Sequence, residues 1–209
     1  MALVNSDELY AAFRKAPAPK TIFGCPCCVD SALVKRLESC IPRNLEAPDL
    51  KILGRKVMTT ILFPKKENFQ YFAARLLEYE YQEGYHGLHV IFGKFKLADF
   101  SLWPQERKDA IKNYILSISK AHLKSADTSW RFEETLTDAH LLFDDISFLL
   151  ELMDAEIEKK SETATLVLQM FERTVWEEHE DKRLHPKLVK WLQREVCKNL
   201  LLETYSKPE

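Results

Sequence analysis

The chain has 209 residues, with 30 Lys and Arg against 32 Asp and Glu for a formal net charge of −2, 46% apolar residues and 30% charged residues. This length suits one globular domain, and the composition is too apolar for a disordered chain. Charges of both signs are interspersed along the sequence, which leaves no basic face for nucleic acid and no polybasic tail for a membrane surface.

Ser6-Asp7-Glu8 reads as a helix start with Leu9, Tyr10 and Phe13 in an apolar stripe, and that helix must stop before Pro17 and Pro19. A loop then carries Gly24-Cys25-Pro26-Cys27-Cys28, and Asp30 suits the N-cap of a short helix through Ser39, with Leu33, Val34 and Leu37 on one face. Pro42 breaks that helix. Pro48 or Asp49 opens another carrying Leu50, Leu53, Val57, Ile61 and Leu62, which Pro64 ends; its β-branched Val57, Thr59, Thr60 and Ile61 make a strand the alternative there. From Glu67, the positions Phe69, Phe72, Ala73, Leu76 and Leu77 recur at helical spacing. Gly84 and Gly87 bracket a turn, after which His89 to Phe100 returns as a short helix.

Pro104 and Glu106 begin the clearest helix, with Ala110, Ile111, Tyr114, Ile115, Ile118 and Leu123 as its buried stripe. A loop around Ser125 to Ser129 leads to one long helix from about Phe132 to Glu158, burying Leu136, Leu142, Phe143, Ile146, Leu149, Leu150 and Met153. Thr163 to about Trp176 forms a further helix, and Pro186 starts the last, which runs through Tyr205.

The sum is an all-α protein of eight to nine helices: an irregular multi-helix bundle or a diverged HEAT-like helical stack. Residues 1–209 read as a single helical domain whose weakest seam is near 125–129. Only five glycines occur, with no G-x-G-x-x-G and no G-x-x-x-x-G-K-[ST], so nothing marks a nucleotide-binding loop. The N-terminus lacks a basic stretch followed by an apolar core, no apolar run approaches a membrane span, and five cysteines do not form a secreted disulfide framework. These features point to the cytoplasm.

Gly24-Cys25-Pro26-Cys27-Cys28-Val29, Pro42-Arg43-Asn44-Leu45, Asp49-Leu50, Thr59-Thr60, Phe72-Ala73-Ala74-Arg75-Leu76-Leu77-Glu78, Ile91-Phe92-Gly93-Lys94-Phe95 and Trp103-Pro104-Gln105-Glu106 together resemble an uncharacterised family of helical bacterial proteins with an N-terminal Cys-x-x-Cys. The resemblance is scattered over roughly residues 10–120. It implies a bacterial source and gives weight to Cys25 and Cys28 as the pair, with Cys27 an extra. It supplies no activity.

A Cys-x-x-Cys lets two sulfurs converge on one metal ion or on each other, and the intervening Pro26 stiffens the loop. Zinc requires two further ligands. His86 and His89, flanked by Gly84 and Gly87, have suitable spacing, and Cys40 and Cys197 are the other thiols on offer. A Cys25/Cys28/His86/His89 zinc site is the metal expectation; small buried cysteines and surface histidines are the bland one. Thiol redox chemistry at Cys25 and Cys28 is the enzymatic alternative, favoured by the positive end of the helix at Asp30 and opposed by the Asp30 carboxylate itself.

His179-Glu180-Asp181 and His185 lack the H-E-x-x-H spacing of a zinc protease. Asp144-Asp145, Glu133-Glu134 and Glu177-Glu178 are adjacent pairs that point apart on a helix and read as polar faces. His122 and His140 sit singly beside apolar stripes, and no G-x-S-x-G is present. Phe69, Tyr71, Phe72, Tyr79, Tyr81 and Tyr85 crowd one region, but Glu67, Glu78, Glu80 and Glu83 among them would repel phosphates, so core and interface are the better account. The expectation is a non-enzymatic helical protein that binds another protein, not nucleic acid or membrane, with homo-oligomerisation left open.

Overall fold

The computed structural model describes residues 4–84, 86–176 and 186–205, which contain eleven α-helices, five short 3₁₀ turns and one two-stranded sheet. The protein is all-α, and among the described residues no helix is long and apolar enough to cross a membrane. Tertiary contacts group the chain into two compact units that divide between Tyr114 and Ile115, inside α6 and upstream of the 125–129 segment. The His179–Asp181 and His185 segment, the Glu177-Glu178 pair and Tyr85 lie outside the described residues.

The first unit begins with α1 (Asp7–Phe13), whose Leu9 and Phe13 are buried one turn apart. After β1 (Phe23–Gly24), Asp30 caps α2 (Ser31–Ser39) by accepting the Ala32 N–H at 2.9 Å, and Leu33 and Leu37 face inward. Pro48 lies in the first turn of α3 (Ala47–Lys56), which buries Leu50 and Leu53. That helix stops at Lys56, short of the sequence expectation. Val57 turns extended, Met58 takes φ 59°, and the β-branched stretch pairs as β2 (Ile61–Leu62) antiparallel to β1.

α4 (Gln70–Glu83) follows its predicted stripe, with Phe72, Ala73, Leu76 and Leu77 buried, and ends where Gly84 takes the left-handed φ 60°. α5 (Leu88–Leu97) and the start of α6 (Gln105–His122) complete the unit. Its centre is aromatic: Phe95 lies 5.2 Å from Trp103 and 5.6 Å from Phe69 between ring centroids, and the indole N–H of Trp103 donates to the Ala98 carbonyl at 2.8 Å. Phe69, Phe72, Phe92 and Phe95 are fully buried, each contributing about 2–3 kcal/mol of transfer free energy. Tyr79 and Tyr81 are buried too, and Tyr71 donates to the Cys40 carbonyl at 3.0 Å, so these aromatics are mainly core.

In the second unit, α7 (Ser129–Asp138) and α9 (Glu162–Trp176) pack together, with α8 (Ser147–Glu158), α10 (Pro186–Leu192) and α11 (Glu195–Tyr205) around them. Phe132, Leu136, Ile146, Leu149, Met153, Val167 and Phe171 are buried. The single long helix expected over 132–158 is broken. Asp145 accepts the backbone N–H of Ser147 at 2.9 Å and its hydroxyl at 2.6 Å, a local turn that restarts the chain as α8. The expected last helix is likewise divided after Leu192: Asp154 takes the Trp191 indole N–H and both bonds from Arg194, and this shared acceptor pins the bend.

Candidate metal centre

The Cys25–Cys28 loop is placed by two neighbouring elements. Gly24 at the end of β1 pairs with Ile61, and the Cys25 N–H continues the pairing by donating to the Thr60 carbonyl at 2.9 Å. Pro26 and Cys27 then form a tight turn, in which the N–H groups of Cys28 and Val29 donate to the Cys25 carbonyl at 3.0 and 2.9 Å. Val29 is buried and Asp30 starts α2, so the loop has a fixed exit. Gly24 is needed for closeness: a Cβ there would stand 2.8 Å from Cγ2 of Val34.

The turn after α3 supports the loop from the other side. The Lys56 carbonyl receives the Thr60 N–H at 3.0 Å and the Thr59 hydroxyl at 2.8 Å, while the Lys56 ammonium donates to the Cys28 carbonyl.

The three sulfurs converge. Cys25 Sγ lies 3.1 Å from Cys27 Sγ, Cys27 Sγ lies 3.5 Å from Cys28 Sγ, and all three fall within 4.8 Å of one another. Metal–sulfur bonds of about 2.3 Å place sulfurs about 3.8–4.0 Å apart, so the spacing suits a shared ion with small thiol rotations. Cys27 and Cys28 are exposed and Cys25 half-buried. The Cys25 thiol is held below its ordinary value, first by the Cys27 S–H and then by the Cys27 backbone N–H and by Cys28. As the donor, Cys27 is pushed up to about 11. The trio could hold a metal ion.

Among the described residues no other His, Cys, Asp or Glu joins this group. The backbone N–H of His86 donates to the buried Glu80 carboxylate at 3.0 Å, and its imidazole lies against Gly54 of α3, where an added Cβ would meet Nε2 at 2.9 Å. Burial lowers its pKa; the Glu80 charge and a hydrogen bond to the Lys51 backbone act against that. His89 folds back over Gly87, within 2.8 Å of where a Cβ would stand. Cys40 donates to the Leu37 carbonyl at 3.4 Å, and Cys197 is buried, its thiol pushed up to about 11 by desolvation.

Cys27 is therefore a full member of a group in which the sequence reading made it an extra, and Lys56 and Thr60 are its supports. The Cys-x-Cys spacing was visible in the sequence. The supports depend on the β1–β2 pairing: the β-branched 57–61 stretch hinted at a strand, but nothing local marks Phe23–Gly24 as its partner. No family model matches the chain, no curated protein matches it, and no solved structure matches it.

Proposed function

We propose that this is a metal-binding helical protein that acts by binding another protein rather than by catalysing a reaction, its Cys25-Pro26-Cys27-Cys28 loop taking up a thiophilic ion. The observation that carries this reading is the convergence of three thiol sulfurs within 4.8 Å on a loop anchored at both ends. Zinc is the ion a Cys-x-x-Cys suggests, and with three sulfurs it would complete its four-coordinate shell with water. The interaction role is supported by an apolar groove of about 520 Å³ between α9, α10 and α11, lined by Leu168, Phe171, Leu192, Leu201 and Leu202. Its dimensions and lining suit the apolar face of a partner helix.

The deciding experiment is metal content by mass spectrometry on reduced, untagged protein, with a thiol count on the same sample. Near one metal ion per chain, with Cys25 and Cys28 unreactive until a chelator is added, supports the reading. Freely reactive Cys25, Cys27 and Cys28 thiols in the folded protein, five thiols in all after denaturation, and no metal uptake on titration defeat it.

A second reading follows from the hydrogen bonds to Cys25: its thiolate would attack a partner disulfide, forming a mixed disulfide and releasing the partner's second sulfur as thiolate. The double variant Cys25→Ser/Cys28→Ser separates the two. Metal binding predicts lost metal and lowered thermal stability; redox exchange predicts an intact fold without exchange activity.

A further inference from the structure

Resting on the metal-binding reading, we propose that the loop is a three-sulfur site for a monovalent soft cation, copper(I), with Cys27 as its third ligand. Three observations lead there. First, the donor set is uniform: the group contains thiols only, and among the described residues no imidazole or carboxylate joins it. Soft thiolates select soft ions, and copper(I) is the softest common first-row ion. Second, the number fits. Three thiolates by themselves complete a trigonal copper(I) shell, whereas zinc bound here would need a water as its fourth ligand.

Third, the surroundings suit a negatively charged complex. Three thiolates around one copper(I) carry a net charge of −2, and the Lys56 ammonium, fixed on the Cys28 carbonyl, supplies a cation beside them. Each metal–sulfur bond formed releases that thiol's proton to the buffer, so uptake of one ion frees up to three protons and involves no change in oxidation state. The exposure of Cys27 and Cys28 leaves the ion open to ligand exchange.

The test uses the full chain, reduced and handled without oxygen, titrated with copper(I) against a bicinchoninate-type chelator and, separately, with zinc against a chromophoric competitor. The expected result is one copper(I) per chain, three sulfur neighbours by X-ray absorption, and displacement of zinc by an equimolar amount of copper(I). Cys27→Ser should lower copper(I) affinity by more than the roughly 10–100-fold that loss of an outer hydrogen-bond partner costs a metal site. Because Cys27 is exposed, the variant keeps its fold, which its circular dichroism verifies; Cys25→Ser/Cys27→Ser/Cys28→Ser is the blank for Cys40 and Cys197. Zinc retained against copper(I), or copper(I) held as tightly by Cys27→Ser as by the native chain, overturns the copper(I) assignment and leaves the metal reading standing. Uptake of neither ion overturns both.

Discussion

The backbone N–H of Cys25 donates to the carbonyl of Thr60 at 2.9 Å, so the thiol loop is registered on a turn that follows it by more than thirty positions. The loop's shape therefore depends on how closely β1 approaches α2, and Gly24 sets that distance. A Cβ at Gly24 would lie 2.8 Å from Cγ2 of the half-buried Val34 and 3.2 Å from the buried Val29. Gly24→Ala should destabilise the first unit by about 1–2 kcal/mol through overpacking and weaken metal uptake with it. Urea unfolding and metal competition on the same variant check this. Unchanged metal affinity would show that the loop holds its form without the β1–β2 register.

Lys56 reaches the loop through its ammonium, which donates to the Cys28 carbonyl. Lys56→Met should lower metal affinity by about threefold to tenfold, roughly 1 kcal/mol, while Lys56→Arg keeps most of it. The difference between the native chain and Lys56→Met should shrink as salt is raised, because an exposed charge is screened. Competition titrations at low and high salt provide the measurement.

His86 and His89 stand apart from the three thiols, and their loop is built around Glu80. That carboxylate, nearly fully buried, accepts the N–H of His86 at 3.0 Å and of Gly87 at 2.8 Å. Glu80→Ala should cost about 2–4 kcal/mol by stranding those donors. His86→Ala and His89→Ala should leave metal stoichiometry unchanged. A loss of bound metal in either would bring the histidine loop into the coordination shell.

What could be read in the sequence was what local chemistry decides. Asp30 as a cap, Pro48 and Pro104 at helix starts, Gly84 at a helix end and the stripe from Phe69 to Leu77 each act within one or two turns, and each is found in the structure. The stop at Lys56 was legible only as the strand alternative raised by the β-branched 57–61 stretch, because that strand needs a partner from the far side of α2. The break before α8 had a signal, Asp145 two residues ahead of Ser147, but an apolar stripe continuing through it concealed the turn. The bend after Leu192 has no local marker and depends on Asp154 from α8. At the thiol loop the residue types were visible, while the membership of Cys27 and the absence of both histidines from the group are properties of the fold.

Glu78 joins α4 to the N-terminal segment. It accepts the Ser6 hydroxyl at 2.6 Å, the Tyr10 hydroxyl at 2.7 Å and Arg75 at 2.7 Å. Burial alone would raise its pKa, but these donors and the Arg75 charge outweigh it and hold the carboxyl below its ordinary value. A carboxylate with a depressed folded value contributes stability above its unfolded pKa, and loses it as pH falls through the folded one. Glu78→Gln should therefore cost about 2–3 kcal/mol near neutrality. The gap between variant and native protein should close as acid protonates Glu78, which urea midpoints from pH 7 down to pH 3 would display.

His122 gives the opposite dependence. It is buried on α6, and desolvation, with the Arg131 charge adding to it, lowers its pKa to about 4. The unfolded chain, with an ordinary histidine near pKa 6.5, takes up the proton first. Between about pH 6.5 and pH 4 each step toward acid thus favours the unfolded state; above about pH 7.5 the group contributes no slope. Across that window the loss should approach about 2–3 kcal/mol, once some residual solvent access is allowed for. His122→Gln removes the titration, so the native protein should lose that much more stability than the variant between pH 7.5 and pH 4. Parallel curves for the two proteins would mean that the folded chain accommodates the imidazolium without penalty, and the buried position of His122 would then have no part in the acid response.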